Sequence, residues 1–170
     1  MLGMSPLVLI HTVIALVAIG AGLAMLWGMW SSQRVDRWSG WFLATTIFTS
    51  ASGFVLPASK FMPSHAVGIL SLAILGLACY ARYAKAMSGP WRVGYALSAV
   101  AALYLNVFVL VVQLFLKVPA LHALAPQQNE PSFVIAQAIV LLAFIVAGVL
   151  AVRRMIDGPG TEVATARKGL

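Results

Sequence analysis

Charge is what this chain lacks most. Only 9% of its 170 residues are charged, against about 25% in a soluble domain. With 62% hydrophobic residues as well, it does not hold enough polar surface to cover a fold in water. Acids are scarcer still: Asp36, Glu130, Asp157 and Glu162 are the whole set, and none falls inside an apolar run. Their scarcity disfavours intramembrane aspartyl proteases and lipoprotein signal peptidases, which need paired carboxylates, and carboxylate-based proton relays. Cysteine is nearly missing. Cys79 stands alone, so it forms neither an internal disulfide nor a CxxC pair. The quinone-coupled disulfide-forming enzymes are thereby removed, and Cys79 reads as a small core hydrophobe. There is no G-x-x-x-x-G-K phosphate loop, no lysine in mid-helix to attach a retinal, and no nucleophile motif around Ser64, Ser132 or the second-run serines.

What is present is a series of long apolar runs. They predict an all-α integral membrane protein with five spans, at about 6–30, 38–56, 65–87, 91–118 and 132–156. Ser5 and Pro6 supply an N-cap and a first helical residue, and with no A-x-A-like cleavage site the first run reads as an uncleaved anchor. Pro57, Gly89-Pro90, Pro119 and Gly158-Pro159 punctuate the ends of the later runs. Residues 157–170 read as a disordered cytoplasmic tail.

The net charge of +7 belongs to this topology rather than to nucleic acid, because the basic residues flank the runs and form no continuous patch. Alternating spans put Arg34, Arg37, Arg82, Lys85, Arg92, Arg153, Arg154, Arg167 and Lys168 on one side, and only Lys60 and Lys117 on the other. The positive-inside rule then makes the first side cytoplasmic and the N-terminus external. Trp27, Trp30, Trp38, Trp41 and Trp91 fall at the cytoplasmic ends of spans, as an interfacial belt does.

With this orientation all three histidines lie in the outer half. His11 is about 7–8 Å inside the first helix, His65 opens the third, and His122 lies in the outer loop. Asn106, Gln113 and Lys117 share one face of the fourth helix, and Gln137 enters the fifth at a depth comparable with Gln113. The expectation is an outward-opening polar pocket lined by His11, Asn106, Gln113, Lys117 and Gln137, with His65 and His122 at its rim. Imidazole there would hydrogen-bond a quinone or ligate haem or a metal. Against this stands the plainer reading, that such side chains simply hydrogen-bond one helix to another. A bis-histidine haem meets a further difficulty, since His11 and His65 differ by about 7 Å in nominal depth. A metal bound by His11, His65 and His122 matches no ligand spacing motif.

Ile10-His11-Thr12 in the first span, Asp36 to Trp41 opening the second, Pro63-Ser64-His65, and the run from Ala102 to Val109 carry a resemblance. The chain resembles small bacterial inner-membrane proteins with a histidine-bearing first helix. The resemblance covers about the first 130 residues and implies a bacterial inner membrane; it implies no activity.

Three functions remain open. The first is a non-enzymatic or accessory subunit of a membrane complex, associating with other subunits or itself through small-residue rows such as Gly20/Ala24 and Gly94/Ser98/Ala102. The second is a binder of quinone, haem, metal or another small ligand in the outer pocket. The third is a small-solute transporter or channel, which with five spans would work as an oligomer.

Overall fold

The computed structural model describes residues 6–31, 36–55 and 63–157. Lys60 and the expected tail from 158 onward lie outside the described residues. Among those described, the structure is helical and without strands: α1 (Pro6–Trp30), α2 (Asp36–Ser52), α3 (Pro63–Cys79), α4 (Trp91–Lys117), the short α5 (Pro119–Leu124) and α6 (Pro131–Asp157). α3 continues into one π-helical turn, Tyr80–Ala84.

Four helical stretches are long and apolar enough to cross a membrane: 6–30, 65–84, 91–117 and 131–156. α2, with 17 residues, is the short one. At 1.5 Å per residue it reaches about 25 Å, against a hydrocarbon core of about 30 Å.

Neighbouring helices run antiparallel, as the cross-helix contacts show. His11 of α1 meets Ser52 near the end of α2, whereas Gly22 lies against Phe42 near its start. Phe54, just past α2, stacks on His65 at the start of α3. On α4 and α6, Val100 faces Gly148, Tyr104 meets Phe144 and Phe115 meets Phe133. α2 thus lies alongside α1 and α3 and reaches α4 through Thr46.

The core is not evenly spread. Its buried members are Ala21, Met25, Leu26 and Met29 of α1, Phe42 and Leu43 of α2, and Leu75, Ala78 and Ala81 from the end of α3 and its π turn. α4 adds Tyr95, Ala96, Ala99, Val100, Ala102 and Leu103, and α6 adds Ala147 and Ala151. All lie toward the end that carries Trp30, Arg82 and Arg153. Small side chains on α4 allow this, since alanine and serine let helix backbones approach closely. From 104 to 113, every α4 residue is only half-buried, and polar contacts take over the task of joining helices.

Candidate functional site

The half expected to face outward is assembled from the start of α1, the end of α2, the start of α3, the second half of α4 and the first half of α6. Near its C-terminal end α2 offers a run of hydroxyls, most of them bonded back to their own helix. Thr45 Oγ1 donates to the Trp41 carbonyl at 2.6 Å, Thr49 Oγ1 to Thr45 at 2.8 Å, and Ser52 Oγ to Thr49 at 3.2 Å. Such back-bonding satisfies hydroxyls inside an apolar layer while leaving each oxygen able to accept.

His11 meets the last of these hydroxyls. Its Nδ1 lies 3.0 Å from Ser52 Oγ. The ring and the hydroxyl thus share one hydrogen bond that joins α1 to α2, and the imidazole tautomer sets which of them donates. The ring edge also borders Gly53, and the positive charge of Lys117 reaches it from α4. His65 sits on the far side of the same chain segment, stacked on Phe54 at 5.6 Å between centroids and 18° between planes. The Phe54 ring fits there because Gly68 has no side chain: a Cβ at that position would approach the ring to 3.1 Å. The 52–54 segment is therefore held between two histidines from two helices.

The amides are engaged in joining helices. Asn106 Nδ2 donates to Thr46 Oγ1 across α4 and α2 at 3.1 Å. Gln137 Nε2 donates to the Phe108 carbonyl across α6 and α4 at 3.2 Å, while its Oε1 is buried with no partner among the described residues. Gln113 is half-buried, and His122 is exposed on α5. The structure thus brings His11, Ser52 and the field of Lys117 together, and sets His65 one segment away. It sets Asn106 and Gln137 into separate helix pairs. Among the described residues no three His, Cys, Asp or Glu side chains form a group fit to hold a metal ion, so His11, His65 and His122 are not gathered as a ligand set.

A second polar cluster lies at the opposite end, and sequence reasoning assigned it no role. Arg82, in the π turn, places its guanidinium 5.5 Å from the Tyr95 ring centroid and 5.6 Å from that of Tyr83. Tyr95 is fully buried and donates its hydroxyl to Met25 Sδ at 3.4 Å. Ser39 Oγ faces the same hydroxyl without a hydrogen bond of good geometry, and Trp30 Nε1 is also buried and unpaired among the described residues. Lys85 rests over Tyr80 and Trp91. A sequence signal existed in retrospect: Tyr80, Arg82, Tyr83 and Lys85 interleave aromatic and basic residues, as cation–π pairs require. Of the tryptophans, Trp27, Trp38 and Trp41 are exposed as a belt requires, while Trp30 and Trp91 pack against the core.

No family model matches this chain, and no curated protein and no solved structure matches it.

Proposed function

We propose that this chain is a five-span, N-out and C-in protein of a bacterial inner membrane that serves as a non-enzymatic, accessory subunit of a membrane complex. The five-span count is supported by the way α2 runs antiparallel alongside α1 and next to α3, with its early turns level with Gly22 and its last level with His11. The orientation rests on the excess of basic residues on one side.

The observation that carries the accessory role is how the outer-half polar groups are used. Asn106, Gln137 and His11 each bond a helix other than their own, which is what structural polar groups in a membrane bundle do. One small-residue row points the same way. The row on α4 is consumed inside the bundle, where Ser98 and Ala102 are buried. On α1, by contrast, Gly20 is exposed, with open space where a Cβ would be. Small residues on an outward face suit the close approach of another transmembrane helix.

Purification in a mild detergent with quantitative mass spectrometry tests the role. A stoichiometric membrane-protein partner is expected, lost in Gly20→Ile with the fold intact. A chain that is always solitary and monomeric refutes the accessory reading.

A second reading, a small-ligand binder, is favoured by one feature: His11 and His65 flank the 52–54 segment, with Lys117 near His11. Bound quinone or a haem absorption band in the purified protein, lost in His11→Ala, is its expected signature. Their absence from protein extracted in native lipid counts against it.

A further inference from the structure

Between α4 and α6 runs a groove of about 590 Å³, walled by Leu97, Val100, Tyr104, Phe144 and Val152 and floored at Gly148. Its lining is almost wholly apolar, yet Arg153 closes one end. We propose that this groove is a binding site for one anionic phospholipid of the leaflet on the Arg153 side, with an acyl chain along the groove and the phosphate on the Arg153 guanidinium.

Length is the first argument. On α6 the lining runs from Leu141 to Arg153, about 18 Å at 1.5 Å per residue. One leaflet contributes half of a hydrocarbon core of about 30 Å, plus the step to the headgroup. Position is the second. α4 extends from 91 to 117 and α6 from 131 to 157, so Tyr104 and Phe144 are the middle residues of the two helices. Their rings meet at 5.8 Å between centroids, and the groove reaches only one turn beyond them, to Leu141. A partner helix would need a seam through both leaflets, whereas this groove serves one.

Chemistry is the third. Arg153 is exposed, with Arg154 beside it, and a guanidinium fork matches two phosphate oxygens. Basic sites between transmembrane helices select anionic headgroups in this way. Gly148 keeps the floor open, because a Cβ there would only touch Val100 Cγ1 at 3.6 Å, while a longer side chain would occupy the acyl path.

The inference requires that α4 and α6 cross a bilayer and is independent of the accessory role. It is tested by reconstituting the purified protein into vesicles of equal phosphatidylglycerol and phosphatidylcholine, extracting gently, and counting retained lipids by native mass spectrometry. One phosphatidylglycerol is expected per chain, favoured over phosphatidylcholine by about fivefold, the worth of one basic residue near an anionic headgroup. Arg153→Ala is expected to erase the preference and Arg153→Lys to keep most of it. Gly148→Leu, and Ala101→Leu on the facing wall, are expected to reduce retention of both lipids. Equal retention of the two lipids by the unaltered protein overturns the proposal, as does undiminished retention in both groove-filling variants. Loss of a protein partner or of a dimer on filling the groove also overturns it, assigning the groove to a helix instead.

Discussion

At Gly22 α1 approaches two helices at once. A Cβ there would lie 2.5 Å from Leu103 Cδ1 and 2.9 Å from Phe42 Cδ2, whereas Gly20, two residues earlier, has nothing within 4 Å. The two glycines therefore differ in kind. Gly22→Leu is expected to lower stability by about 1–3 kcal/mol, the usual cost of overpacking a filled core, read as a lower midpoint of thermal unfolding in detergent. Gly20→Leu is expected to leave that midpoint unchanged. The sequence alone pointed to Gly20, because it forms a small-residue row with Ala24; nothing in the spacing reveals which face of α1 meets Leu103 and Phe42. Asn106 and Gln137 were easier to read. An amide within an apolar run must find a partner, and the fold supplied Thr46 and the Phe108 carbonyl.

Among the elements, the end of α3 departs most from what periodicity implies. A continuous helix to about residue 87 was expected; the chain instead passes through a π turn and then places Ala86 at φ 48°, Met87 at φ 50° and Gly89 at φ 52°. The Met87 N–H donates to Ala81 O at 3.0 Å, closing the helix end. π turns commonly mark positions where a side chain is re-aimed, and here the turn carries Arg82 against Tyr95. Left-handed backbone penalises a Cβ, and Ala86 is exposed with no packing to lose. Ala86→Gly is expected to stabilise the protein by about 0.5–1 kcal/mol after the entropy of the unfolded glycine is allowed for. Ala86→Val is expected to do the reverse, both read by denaturant unfolding.

The turn before α6 has a titratable clasp. Desolvation raises the Glu130 carboxyl, but backbone N–H groups at 127, 130, 129 and 128 outweigh it and hold the carboxyl below its ordinary range. Its two oxygens accept from Gln127 N at 3.0 Å and Asn129 N at 3.1 Å. A depressed carboxyl contributes stability above its unfolded value and loses it as pH falls through the folded one. Protection of the Gln127 and Asn129 amides from hydrogen exchange, corrected for the intrinsic rate at each pH, is therefore expected to be full at neutral pH. It should decline only under more acidic conditions than an ordinary glutamate needs. In Glu130→Gln this pH dependence should vanish.

For the whole molecule the decisive quantity is parity. α1 and α6 run in the same direction through the bundle, and on the proposed five-span reading, with α2 crossing, the two ends of the chain are expected on opposite sides of the membrane. If α2 did not cross, four spans would leave both ends on one side. Reporter fusions are expected to place residue 89 and the C-terminus inside and residue 126 and the N-terminus outside; both termini on one side would refute the five-span reading.

The sequence by itself determined that the chain is helical and that it holds apolar helices long enough to cross a membrane. Those properties are local: apolar run length acts without reference to other helices. Only the tertiary structure decided which neighbours meet. It put His11 on Ser52 and His65 on Phe54, and buried Tyr95 under Arg82. Small apolar residues concentrated the core at one end and left an apolar groove between α4 and α6. In an apolar solvent the hydrophobic pattern says that a helix is buried in the bilayer but does not rank its faces. Packing and interhelical hydrogen bonds choose between them, and both are properties of pairs of helices rather than of a run of residues.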